Sequence, residues 1–350
     1  MTLDGPVLVV GAGLLGTSIA LALRRHDIDV ALSDVSVENL RIASGLGAAN
    51  AAPDAVRPQL VVVAVPPDHL AEQIAAALTG TDAVVTDVGS VKEAPLKLTR
   101  ELIGDDELSR YVGSHPMAGS ERSGPFAATE ALFDGRPWAV VPHRTSAAPA
   151  VELVTELARL CGATPVTFAP DEHDQAVART SHLPHLLAAL VAGRLTDAPR
   201  DHLALSGQGV RDVTRIAAGD PALWQQIIGA NTGALTALLT DVRADVETLL
   251  AALADGDRAP IGALLERGVR GTAGIPGKHG APTGPVATLY VVIPDHPGEL
   301  ARLFADASEI GVNIEDVRID HDPGREYGLL ELSVAADSVE HLLSSLEDRG

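Results

Sequence analysis

The sequence predicts three successive units: an α/β domain on a mostly parallel sheet, an all-α domain and a small α+β domain. Three observations carry this reading. Over residues 1–168, short apolar runs alternate with helical stretches. From Asp171 to Leu265, Ala and Leu recur at three- and four-residue spacings with no strand-like run. A Gly/Pro-rich linker, 271–285, then sets off a final βαββα pattern over 286–350, which leaves 169–270 as the helical unit. A chain of 350 residues exceeds one compact core, so several units are expected on size alone.

Each element follows from local pattern. Val7–Val10 is wholly apolar, as a strand buried on both faces must be. A glycine-rich turn follows at Gly11–Gly16, then a helix over Thr17–Arg25 and a strand over Ile28–Ser33. Leu60–Val65 is a further buried strand, stopped by Pro66 and Pro67. Later strands are Ala83–Asp87, Tyr111–Ser114, Trp138–Val141 and Thr164–Phe168. Strands separated by helices imply right-handed parallel crossovers. The helical unit holds more Ala and Leu than one layer buries against a sheet, so a dimer interface is expected there. The last unit reads as strands at Ala287–Ile293, Val312–Asp320 and Glu326–Val334, with helices at Gly298–Glu309 and Ser338–Leu346.

Composition narrows the function. A net charge of −21 repels nucleic-acid phosphates and anionic membranes, so neither is an expected partner. Any anionic substrate needs a local cationic pocket. Aromatic residues are only 3%, which leaves the core to Ala, Val, Leu and Ile. The single cysteine, Cys161, rules out an intrachain disulfide and reads as a small apolar residue late in a helix. No metal site is expected. The start, Met1-Thr2-Leu3-Asp4-Gly5, lacks a basic segment followed by an apolar one, and no apolar run spans a bilayer, so a cytoplasmic protein is expected.

Gly11-Ala12-Gly13-Leu14-Leu15-Gly16 fits G-x-G-x-x-G between a strand and a helix. There Gly11 permits the tight turn, Gly13 the approach of a pyrophosphate, and Gly16 close helix packing. Asp34, just past the second strand, suits ribose hydroxyls and repels a 2′-phosphate. The domain is therefore a Rossmann-type dinucleotide-binding domain with NAD as cofactor. Its expected cofactor-binding residues are Gly11, Gly13, Leu14, Leu15, Gly16, Asp34, Val65 and Pro66.

Three polar segments fall where strands end: Asp87–Lys92 (DVGSVK), Ser114–Glu121 (SHPMAGSE) and Ser181–His185 (SHLPH). Ligands of open α/β sheets bind outside the carboxyl ends of strands. With Asp171–Asp174 (DEHD), Arg211–Ala217 (RDVTRIA) and Trp224, these segments resemble the prephenate/arogenate dehydrogenase family over essentially the whole length. The resemblance implies an oxidative decarboxylation. Hydride leaves a cyclohexadienol carbon, a base takes the hydroxyl proton, and loss of carbon dioxide aromatises the ring. It makes His115 the general base and gives Ser90 the same hydroxyl or the orienting of His115, with capping of a helix beginning at Val91 as the structural reading of Ser90. Arg215 would clamp a substrate carboxylate, or be an ion-pair partner of Asp212 or Asp220. Arg211, His182 and Glu121 complete the expected substrate-binding set. His182 and His185 flank a proline at a helix start and have structural alternatives, and Trp224 reads as packing.

Asp295-His296-Pro297-Gly298-Glu299-Leu300 resembles the D-x-P-G-x-L signature of ACT domains. The full expectation is an α/β Rossmann-type dinucleotide-binding domain, an all-α dimerisation domain and a small α+β ACT-like domain. The resemblance implies paired domains with an amino-acid effector, tyrosine or phenylalanine, held by Asp295, His296, Pro297, Gly298 and Asn313. A purely dimerising domain is the alternative. ACT domains close with a fourth strand, so either the chain continues past Gly350 or that edge stays open. Prephenate is the expected substrate with arogenate as the alternative, and a homodimer is expected. Two other readings are weaker. A β-hydroxyacid dehydrogenase would use a lysine in the helical unit, and Asp171–Leu265 contains none. A non-catalytic NAD- and amino-acid-binding regulator would lack Ser90, His115 or Arg215.

Overall fold

The computed structural model describes residues 2–49, 54, 56–119, 124–275, 285–320 and 327–349. It divides into two compact units, Met1–Arg267 and Gly268–Gly350. The sequence's first two units are thus packed together as one.

In the first unit, strands β1 (Val7–Val10), β2 (Val30–Ser33), β3 (Leu60–Val63) and β4 (Val84–Asp87) form a parallel sheet in the order β2-β1-β3-β4. Helices α1 (Leu14–Arg24), α2 (Val37–Gly45), α3 (Pro67–Gly80) and α4 (Glu93–Ile103) connect or follow them. Pro67 does not merely stop a strand: it is the first residue of α3, where a missing N–H costs nothing. β3 is buried at every position, because helices cover both faces.

A parallel bridge between Val85 and Tyr111 leads from β4 to a second set of strands, β5 (Gly113–Pro116), β6 (Pro137–Val141) and β7 (Thr164–Thr167). The expectation of parallel crossovers fails here. β6 runs antiparallel to β5, and β7 parallel to β6 through helix α5 (Ala148–Leu160). Among the described residues between β5 and β6 there is a short 3-10 turn, Pro125–Ala127, and no crossover helix of the kind a parallel strand needs. Cys161 caps the end of α5 and is buried.

The helical layer runs through α6 (Pro170–Val177), a π-helical turn (Ala178–His182), α7 (Leu183–Gly193), α8 (Arg200–Leu203), α9 (Gln208–Arg215), α10 (Pro221–Ala230), α11 (Thr232–Asp255) and α12 (Arg258–Thr272). The unit boundary falls inside α12. The predicted linker, 271–285, therefore begins within this helix, and residues 276–284 lie outside the described ones.

The second unit contains β8 (Val286–Pro294), α13 (Glu299–Glu309), β9 (Ile314–Asp320), β10 (Tyr327–Ala335) and α14 (Val339–Arg349). Its sheet is antiparallel in the order β8-β10-β9. Leu289, Ile293, Leu330, Leu332 and Val334 alternate into a core with Leu303, Ala307 and Leu342. Among the described residues, no helix is long and apolar enough to cross a membrane.

The glycine loop shows what the sheet demands of it. Gly11 has φ +107°, and a Cβ there would strike the carbonyl of Ala64 beyond β3. A Cβ on Gly16 would meet the carbonyl of Gly11 and the side chain of Val9. An alanine within an ordinary helix stabilises by about 1 kcal/mol over glycine. At Gly16 the backbone clash outweighs that gain, so Gly16→Ala is expected to destabilise the first unit, on the order of 3 kcal/mol. A denaturant midpoint equal to or above that of the parent chain would refute the packing role.

Candidate active site

The site is built where the carboxyl ends of β1 to β5 meet the helical layer. Its foundation is a buried ion pair. Asp87, the last residue of β4, takes the ammonium of Lys92 on both carboxylate oxygens, and both side chains are almost wholly buried. Burial presses Asp87 above the ordinary carboxylate range and Lys92 below the ordinary amine range, and each charge opposes the shift in the other. Lys92 also donates to the carbonyl of Ser114 at 2.7 Å. One ammonium thus ties the end of β4 to the residue before His115. Losing one partner would strand a buried charge, at a cost of about 3–5 kcal/mol.

A second tie comes from the helical layer. Asp174, near the end of α6, accepts the backbone N–H of Lys92 on Oδ1 (2.8 Å) and that of Glu93 on Oδ2 (2.9 Å). These are orphan donors at the start of α4, so Asp174 caps that helix from a distant segment. This corrects the expectation for Ser90. Helix α4 begins at Glu93 rather than Val91, Lys92 stands at its N-cap, and Asp174 supplies the cap. Ser90 is half-buried in the preceding turn.

His115 lies within β5, opposite Ala139 of β6, and is partly exposed. Its Nδ1 is 3.0 Å from Nε2 of His173, and Nδ1 of His173 is 2.8 Å from Oδ1 of Asp174. The residue that holds His115 is therefore His173, not Ser90. Burial first, then the neighbouring His173, Lys92 and His182, push His115 well below the ordinary imidazole value of 6.5. His115 is accordingly neutral at neutral pH, with one ring nitrogen outside this chain of contacts.

Asn231, at the start of α11, donates to the backbone carbonyl of Asp174 at 2.8 Å and lies 3.2 Å from Nδ1 of His182. His182 is fully buried, its Nε2 has no partner among the described residues, and burial lowers its pKa to about 4 despite nearby Asp174. His185 stacks on Trp224, with ring centroids 3.5 Å apart and planes at 11°. Trp224 is thus a packing residue, and Gly219 lies so close to it that a Cβ would collide with the indole nitrogen.

The other expected residues are placed as follows. Asp34 accepts from Ala12 N at 2.6 Å and Ser36 N at 2.7 Å, so it fastens the glycine loop to the end of β2. Leu14 and Leu15 open α1, whose N-cap, Gly13, has no side-chain cap, and the space beside its Cα is open. Val65 and Pro66 form the turn after β3, against Gly11. Arg215 ends α9 and Arg211 lies one turn earlier; both are exposed. The ion pairs considered for Arg215 do not form; Asp212 instead accepts from Gln208, and Asp220 caps α10 at Ala222. Glu121 lies outside the described residues. In the second unit, Asp295, His296, Pro297 and Gly298 form an exposed turn, and Asn313 lines a groove of about 500 Å³ with Phe304, Ser308 and Val317. Gly298 has φ +101° with open space around it, so the backbone turn rather than crowding within the unit requires glycine. Sequence reading missed His173, Asp174 and Asn231 as functional. The string DEHD was the one visible signal of His173 and Asp174, and Asn231 had none.

Comparison with known proteins places both halves of the first unit in one family. Residues 19–167 match the family model described as the nucleotide-binding domain of prephenate dehydrogenase, and residues 169–267 match its dimerization domain. "Probable prephenate dehydrogenase NovF" of Streptomyces niveus is 39% identical over 355 residues, covering 97% of both chains. The prephenate dehydrogenase of Bacillus subtilis is 27% identical, over 95% of this chain and 92% of that one. Among solved structures, prephenate dehydrogenase from A. aeolicus, in complex with hydroxyphenyl propionate and NAD+, superposes with a TM-score of 0.69 at 26% identity. It covers 76% of this chain and 97% of its own. Synechocystis arogenate dehydrogenase gives 0.64 at 25% identity, over 76% and 99%. With its two successive domains matched and a near full-length relative at this identity, the chain belongs to the prephenate dehydrogenase family.

Proposed function

We propose that the chain is an NAD-dependent oxidoreductase that converts prephenate to 4-hydroxyphenylpyruvate and carbon dioxide, the step that commits the ring to tyrosine. The observation that carries this is His115: a neutral imidazole at the carboxyl edge of the sheet, held through one nitrogen with the other left over among the described residues. The glycine loop fits a dinucleotide. The uncapped start of α1 offers orphan N–H groups to a pyrophosphate, the space at Gly13 is open, and Asp34 keeps free lone pairs for ribose hydroxyls while repelling a 2′-phosphate. When bound, NAD supplies the hydride acceptor. His115 takes the hydroxyl proton from the ring carbon that loses hydride, and Ser90 hydrogen-bonds that hydroxyl. The ketone so formed loses its ring carboxylate as carbon dioxide, and the ring becomes aromatic. Arg215 and Arg211, both outside the ion pairs that neighbouring carboxylates could offer, bring positive charge to the substrate carboxylates in a chain of net charge −21. His182 offers a buried ring nitrogen to the substrate, and Glu121 completes the set.

Arogenate is the second reading, favoured by the likeness to Synechocystis arogenate dehydrogenase. We further infer a homodimer through the helical layer, where Leu190, Leu205, Val213, Leu250 and Leu253 are exposed apolar side chains. The second unit is read as an ACT-like domain that binds tyrosine near Asp295–Gly298 and Asn313; its strand order and the groove at Asn313 support this.

The test is NADH formation with NAD and prephenate or arogenate, with and without tyrosine. Turnover of prephenate is expected, and none with either substrate would sink the proposal. His115→Ala is expected to lower kcat by a factor on the order of 100 or more with NAD affinity intact; unchanged turnover would remove His115 as the base. Asp34→Ala is expected to raise use of NADP relative to NAD, and an unaltered ratio would count against the loop assignment. The acid limb of kcat/KM reports the free enzyme's base. Because the pKa of His115 is depressed, the base stays neutral as pH falls through 6.5, and activity is lost only below that value. A midpoint at or above 6.5 would contradict the environment described for His115.

A further inference from the structure

The hydrogen-bonded chain behind His115 determines which ring nitrogen carries each proton. The carboxylate of Asp174 can only accept. Its contact with Nδ1 of His173 at 2.8 Å therefore places a proton on that nitrogen. Both oxygens of Asp174 also accept from backbone N–H groups of α4, and His173 is almost wholly buried, so this contact is held in one geometry. A neutral His173 protonated on Nδ1 has a lone pair on Nε2. That nitrogen is 3.0 Å from Nδ1 of His115, a separation that needs a proton between them. His115 must then supply it, which leaves Nε2 of His115 bare.

The branch through Asn231 works in the opposite sense. The carbonyl of Asp174 is an obligate acceptor, so the amide nitrogen of Asn231 faces it at 2.8 Å. The same nitrogen reaches Nδ1 of His182 at 3.2 Å with its second hydrogen. His182 must accept there, and its own proton lies on Nε2, the buried atom with no partner among the described residues.

We propose that Asp174, His173 and Asn231 are positioning residues that fix two site histidines in opposite tautomers, His115 as a proton acceptor at Nε2 and His182 as a hydrogen-bond donor at Nε2. The catalytic meaning of this rests on His115 being the base; the tautomers themselves do not. Nitrogen-15 NMR of the histidine side chains in the full chain at neutral pH tests it, with resonances assigned through His115→Gln and His182→Gln. Protonated Nδ1 on His115 and protonated Nε2 on His182 are expected. A proton on Nε2 of His115, as a cationic His173 would impose, or on Nδ1 of His182, overturns the proposal. Kinetics give a second reading. His173→Leu is expected to lower kcat at least about tenfold, with KM and NAD affinity within about threefold. His173→Gln, whose carbonyl oxygen can accept from Nδ1 of His115, should recover most of the loss. Wild-type kcat in His173→Leu would also overturn it. Failure of the base assignment shows separately, as undiminished turnover in His115→Ala.

Discussion

The carboxylate of Asp174 is the point on which the site depends. It reaches across from α6 to cap α4, and the same oxygen that accepts from Lys92 N also meets His173. The helix it caps starts beside Lys92, whose side chain binds Asp87 and the carbonyl preceding His115. Three segments far apart in sequence are thereby fixed to within hydrogen-bonding tolerance. Burial makes this expensive for each charge taken singly, yet Asp87, Lys92 and Asp174 each have their partners. That is the condition under which a buried polar network holds one arrangement rather than several.

The electrostatic outcome follows from this frame. The chain carries a large negative charge, yet the surroundings of His115 disfavour added positive charge. Burial, the Lys92 ammonium and two neighbouring imidazoles all weigh against protonation. The global charge says little about the site because the closest groups are within a few ångströms and poorly screened. An acidic surface and a neutral imidazole coexist for that reason.

Much of the architecture was legible in sequence because it rests on local patterns. Apolar runs at Val7–Val10 and Leu60–Val63 mark strands, and the three glycines of the loop meet the steric demands the motif implies. The reversal at β6 was not legible, since an apolar tetrapeptide such as Trp138–Val141 looks the same in either direction. The expected roles of His115 and Ser90 came from motif strings, and only the position of His115 gains support from its contacts. His173 and Asp174 stood in view as part of DEHD, but their purpose depends on contacts 58 to 82 residues distant, which no window of local spacing reveals. Asn231 had no signal at all, being a single amide between two helices.

The trans cap at α4 also limits how freely this design can be recombined. A Gly-rich nucleotide fold is often regarded as a module that accepts different partners. Here the second half supplies the cap of a first-half helix and the imidazole that holds His115. A nucleotide-binding half joined to a foreign helical layer would keep its glycine loop but lose the contact that orients His115. The two halves, up to Arg267, therefore work as one structural body rather than as exchangeable modules.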